Sequence, residues 1–108
     1  MAYDEVMADR IRSDLAGLPL VERKMFGGLA FLVQGHMVCG VHRGGCFFRV
    51  GKPNEARAIS LPGVRQMDMA GRPMPGMVDV TTSAFADDAI RTGLLALAVG
   101  FVKTLPPK

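Results

Sequence analysis

The stretch Lys24–Val41, KMFGGLAFLVQGHMVCGV, decides how this chain is read. Two glycine-bearing dipeptides, Gly27-Gly28 and Gln34-Gly35, punctuate an almost unbroken apolar run, and Gln34-Gly35 has the length and the glycine that tight β-hairpins favour. Leu29–Val33 and Met37–His42 are therefore read as paired strands. Cys46–Val50 extends the pattern through Gly44-Gly45 to give an antiparallel meander. Gly27-Gly28 stands just ahead of the first strand. There glycine permits a positive φ or a close backbone approach, as a bulge, a sharp entry turn or an anion nest each requires. A phosphate loop would open into a helix N-terminus, whereas this pair opens into a strand, so the structural role is preferred.

Working outward, Asp4–Leu18 reads as an amphipathic helix lying on the sheet. Met7, Ile11, Leu15 and Leu18 recur at helical spacing, acids occupy its first turn, and Pro19 follows its end. A short helix fits Asn54–Leu61, with Asn54 as N-cap and Pro62-Gly63 as the stop. Strands follow around Val64–Asp68 and Met77–Thr81, separated by the turn-rich AGRPMPG. A last helix is expected from near Ser83 to about Leu105, with Ile90, Leu94, Leu97, Phe101 and Leu105 on one face and Pro106-Pro107 closing it. The predicted fold class is α+β: a two-layer domain with an antiparallel sheet and helices, in the order α-β-β-β-α-β-β-α.

At 108 residues, 49% hydrophobic and 21% charged, the composition is that of one folded domain, 1–108, with a modest core. The acidic start MAYDEVMADR lacks the features of a signal peptide, and no apolar run is long enough to span a membrane, so a cytoplasmic protein without membrane contact is expected. Cys39 and Cys46 are too few for a secreted disulfide framework and are read as free thiols.

Charge is distributed unevenly. Eight basic residues (Arg23, Lys24, Arg43, Arg49, Lys52, Arg57, Arg65, Arg72) stand against Glu55 and Asp68 between positions 23 and 72, while the first 22 residues are net acidic. Arg43, Arg49, Lys52, Arg57 and Arg65 form a candidate basic surface for an anionic partner, set against the alternative of charges scattered over a solvated exterior.

His36, Cys39, His42 and Cys46 supply nitrogen and sulfur donors in a short span. Strand alternation turns Cys39 away from both histidines. With Gly44-Gly45 as the loop, Arg43 lies opposite Cys46 and Cys39 opposite Val50, too far apart to bridge or to share a metal. That register gathers Cys39, Val41, Cys46, Phe48 and Val50 on the buried face. It leaves Phe31, Val33, Val38 and Phe47 on the other, an apolar surface to be covered by a helix or by a second copy of the chain. In the loop Asp68–Gly76, Arg72 is expected to pin its own hairpin by pairing with Asp68 or Asp79, the alternative being a partner's carboxylate or phosphate.

Lys24-Met25-Phe26-Gly27-Gly28, Gly35 with Met37, and Gly71-Arg72-Pro73-Met74, together with the closing helix that ends Phe101-Val102-Lys103-Thr104-Leu105-Pro106, resemble the TfoX/Sxy N-terminal domain family across nearly the whole chain. The resemblance implies the same α-β-β-β-α-β-β-α fold. Family members named for competence add a helical C-terminal domain and regulate DNA-uptake genes alongside the cyclic-AMP receptor protein; this sequence carries the first domain, as a stand-alone member would. The motif residues Lys24, Met25, Phe26, Gly27, Gly28, Gly35, Met37, Gly71, Arg72 and Met74 are thereby candidate interaction residues. No carboxylate pair, activated nucleophile or phosphate loop can be assembled, and neither histidine has an evident acidic or thiol partner, so a small enzyme is the least favoured reading. The expectation is a non-enzymatic interaction module, regulatory by resemblance, with a protein or DNA partner and no cofactor, metal or catalytic residue. The alternative is a structural homodimer or chaperone-like binder without nucleic-acid contact.

Overall fold

In a computed structural model, residues 3–25 and 27–107 are described; Phe26, one of the motif residues, lies outside them. The elements are α1 (Glu5–Asp14), β1 (Leu20–Met25), β2 (Gly28–Val33), β3 (His36–His42), β4 (Gly45–Arg49), α2 (Glu55–Ile59), β5 (Val64–Met69), β6 (Arg72–Val80), α3 (Thr82–Ala86) and α4 (Asp88–Lys103), with a 3-10 turn at Lys52–Asn54 leading into α2. The six strands form one antiparallel sheet in the order β1-β2-β3-β4-β6-β5. This is the expected α+β fold, with β1 added as an edge strand. The expected last helix is divided at Asp87, whose extended backbone (φ −79, ψ 115) ends α3 and whose carboxylate accepts the Ile90 N–H as the N-cap of α4.

Local chemistry accounts for the ends of the other elements. Asp4 caps α1 by accepting the N–H groups of Val6 and Met7. Gln34 (φ 53) and Gly35 (φ 84) take the left-handed conformations of a tight hairpin. The β3–β4 turn is Arg43-Gly44 rather than Gly44-Gly45. His42 faces Gly45 across the ladder, so Cys39 lies opposite Phe48, not Val50, and Cys46 opposite Val41. Gly45 is the first residue of β4, and a Cβ there would collide with the Val80 carbonyl oxygen. The AGRPMPG segment is likewise tighter than expected, since Ala70 (φ 54) and Gly71 (φ 81) make the turn and β6 begins at Arg72.

The largest departure from the expected register lies between β2 and β3. Val33 faces His36 and Leu32 faces Met37, but Phe31 faces Cys39, so Val38 is an extra residue in β3. This bulge reverses the facing of everything beyond it. Phe31, Val33 and Val38, expected on the second face, join Cys39, Val41, Cys46, Phe48 and Val50 in the main core. Every helix delivers its buried apolar residues to the same cluster: Met7, Ala8 and Ile11 from α1, Ala58 from α2, Ala84 and Phe85 from α3, and Leu94, Leu95, Ala98 and Val102 from α4. Each fully buried large side chain there, such as Phe31 or Phe48, contributes about 1.5–3 kcal/mol relative to exposure.

Gly27 and Gly28 have different roles. Gly27 holds φ +73 with open space around it, whereas a Cβ on Gly28, which faces Met25 across the ladder, would run into the Val41 carbonyl oxygen. Gly27→Ala is expected to cost about 1–2 kcal/mol, the left-handed penalty of an L-residue. Gly28→Ala should cost more than Gly27→Ala, because β3 backbone must move to admit the methyl; urea midpoints of the two variants provide the comparison.

Arg91 ties the helical layer together. Its side chain is 5% exposed and donates to Asp14 (2.7 Å) on α1, to Asp88 (2.8 Å) and to the Phe85 carbonyl (3.1 Å), while its guanidinium lies 5.6 Å from the Phe85 ring centroid. Arg91→Ala leaves the Asp14 carboxylate, 20% exposed, without this partner, and a loss of about 3–5 kcal/mol is expected by denaturant unfolding. Arg91→Lys should recover only part of that loss, because an ammonium cannot reproduce the planar fork.

Candidate functional site

The second face of the sheet carries the feature that most needs an explanation. Ala30, Leu32, Phe47, Met67 and Met77 form a second buried cluster, against which Met25, Met37 and Met74 pack. All six strands contribute to it, and among the described residues no helix residue belongs to it. A sheet face without a helical cover ordinarily carries polar residues; here methionines from β1, β3, β5 and β6 join the apolar cluster instead. At the centre, Phe47 is 1% exposed because its ring occupies the space above Gly40, where any Cβ would strike the ring and would also come within 2.6 Å of the Leu29 carbonyl oxygen. His42 stacks on Phe47 with the planes 6° apart and the centroids 6.1 Å apart.

His42 also has a partner that the sequence reading did not find. Its Nε2 lies 2.7 Å from Asp79 Oδ1, and the Gly44 backbone N–H donates to its Nδ1 at 3.0 Å. The Gly44 donor assigns the hydrogen to Nε2, which therefore donates to Asp79. Arg65 Nη2 stands 3.7 Å from the other Asp79 oxygen. Asp79 arrives through the pairing of β4 with β6, opposite Phe47, and its signal in the sequence is an acid set between Val78 and Val80 at the apolar end of the strand. Both ring nitrogens of His42 are engaged inside the protein, so no lone pair remains to take a proton from a substrate. The pair pins the β3–β4 turn to β6. Gly44, Gly63, Val64, Arg65, Asp79, Val80 and Thr81 line an open cleft of about 430 Å³ next to it.

His36 turns to the end of the helical layer, where Nε2 lies 2.6 Å from the Pro106 carbonyl oxygen. Cys39 and Cys46 are free and fully buried, and no group of three or more His, Cys, Asp or Glu side chains is placed to hold a metal among the described residues. Burial pushes both thiols well above the ordinary cysteine range. Neither thiol is expected to react with a disulfide reagent in the native protein at neutral pH, and both should react in urea; thiol titration under the two conditions checks this.

Of the motif residues, Met25, Met37 and Met74 meet on the methionine face, Gly27, Gly28, Gly35 and Gly71 shape backbone, and Lys24 and Arg72 are exposed. Arg72 has no ion pair among the described residues; Asp79, one of its two expected partners, is held by His42 and Arg65. The basic residues are dispersed. Arg43 sits in the β3–β4 turn, Arg57 on α2 and Arg65 on the edge strand β5, all exposed, while Arg49 and Lys52 stand together at the far end of β4.

A family model described as the TfoX N-terminal domain matches residues 15–101, and the chain belongs to that family. No curated protein matches the chain. No solved structure matches it either. No helix among the described residues is long and apolar enough to cross a membrane.

Proposed function

From membership of the TfoX N-terminal domain family and from the helix-free methionine face, we propose that this chain is a non-enzymatic interaction module of regulatory type that docks a protein partner on that face. The single observation that carries the reading is the convergence of five methionines, Met25, Met37, Met67, Met74 and Met77, around Phe47 with no helix residue in the cluster among the described residues. Polarizable, unbranched side chains adapt to the contour of a partner, and Met25, Met37 and Met74 remain partly exposed to meet one. The engaged nitrogens of His42 and the buried thiols support a binding role over a catalytic one. The dispersed basic side chains favour a protein over a DNA duplex, which would draw on a continuous positive stripe. A structural homodimer is the second reading, favoured by the open edge of β1 with Val21 55% exposed.

A photo-crosslinking residue at position 74, in cells, should give one discrete adduct with another protein, lost in Met37→Glu and not formed from position 59 on α2. An adduct with a second copy alone would assign the face to the homodimer. In sedimentation with a short DNA duplex at low and moderate salt, the duplex should be unshifted in both. A shift at low salt that disappears as salt rises would overturn the protein-partner reading in favour of nucleic acid.

A further inference from the structure

The corner where β4 leaves the sheet is built differently from the methionine face. Arg49 ends the strand, and the N–H groups of Val50 and Gly51 both donate to the Gly76 carbonyl at 3.0 Å. Gly51 (φ 88) and Gly76 (φ 84) take backbone conformations that favour glycine, and a Cβ on Gly51 would enter the Phe101 ring. Around this backbone, Arg49, Lys52, Pro53, Pro75 and Phe101 enclose an open cleft of about 280 Å³, close to the lower end of the range for small-ligand sites. The Arg49 guanidinium carbon lies 5.4 Å from the Phe101 ring centroid. The contact holds one flat face of the guanidinium and leaves its N–H edges for an acceptor.

Neither Arg49 nor Lys52 has an ion-pair partner among the described residues. The one acid bonded to this corner, Glu55, has both oxygens committed, to the Gly76 N–H (2.6 Å) and to Gln66 Nε2 (3.0 Å), and does not line the cleft. Two positive charges thus stand together, in ion pair with neither Glu55 nor another acid among the described residues, beside two proline rings and an aromatic ring. We propose that this cleft is a binding site for a small phosphate ester, its oxyanion held by Arg49 and Lys52 and its organic part laid against Pro53, Pro75 and Phe101. A phosphate monoester matches the pair because it brings close to two negative charges and three acceptor oxygens, and the apolar walls give its organic part a surface to pack on. None of the cleft residues belongs to the methionine cluster, so this proposal stands or falls separately from the partner reading.

Titration of the labelled protein with phenyl phosphate, inorganic phosphate and phenol, followed by amide and arginine side-chain NMR resonances, tests the assignment. Phenyl phosphate should give saturable shifts at Gly51, Lys52, Gly76 and Arg49 Nε and bind more tightly than either fragment. Arg49→Gln and Lys52→Gln should each raise its Kd about tenfold, as loss of a charge-assisted contact requires, while Arg57→Gln on α2 leaves it unchanged. Lys52 is exposed, so its variant reports on binding even if Arg49→Gln perturbs the corner. The absence of saturable shifts at these positions, equal affinity in Lys52→Gln, or shifts spread over the other basic side chains would overturn the proposal. Equal affinity for inorganic phosphate and phenyl phosphate would overturn the role of the apolar walls.

Discussion

One extra residue in β3 controls the arrangement of this protein. At Val38 the ladder between β2 and β3 slips by one position, so that Phe31 meets Cys39 while Leu32 meets Met37. In a pleated sheet a slip of one exchanges the two faces. Without it, Phe31 and Val33 would stand on the face opposite Cys39 and Val41, and each side would carry half a core. With it, Leu29, Phe31, Val33, Val38, Cys39 and Val41 all face the helices and pack with α1 and α4. The amphipathic helices then have one continuous apolar surface to cover, and the Arg91 fork on α4 reaches Asp14 at the end of α1.

The same slip leaves the other face to the methionines. Gly40 is the companion feature, because its missing side chain is the space that Phe47 fills, and the buried ring gives Met67, Met77, Leu32 and Ala30 a surface to pack on. This face reaches low exposure with side chains that have three rotatable bonds and no branching, a packing that is dense yet adjustable. A stable core on one side and a deformable apolar surface on the other is a physical division suited to a module that must stay folded while it accommodates a partner.

Much of the architecture was legible in local signals. The Gln34-Gly35 turn, the periodicity of α1 and α4 and the buried set Cys39, Val41, Cys46, Phe48 and Val50 all follow from short-range pattern, since turns need particular backbone angles and amphipathic elements need particular spacings. The division at Asp87 had a signal in the cap chemistry of an aspartate three residues before Ile90, outweighed in the sequence reading by the long apolar periodicity. The site was far less legible. Asp79 meets His42 from 37 residues away through the β4–β6 pairing, and Phe101 meets Arg49 from the opposite layer, so neither contact has a local signature.

What the sequence determined by itself was the α+β class, the Gln34-Gly35 turn and family membership, because these depend on backbone preference and on residues near one another in the chain. What only the tertiary structure decided was the register: the turn at Arg43-Gly44, the bulge at Val38, and with them which apolar residues face the helices and which lie open. A strand's alternation is the same in either register, and the choice is made by close contacts between distant backbones. Gly28 under the Val41 carbonyl and Gly45 against that of Val80 are such contacts, and they exist only once the strands have paired.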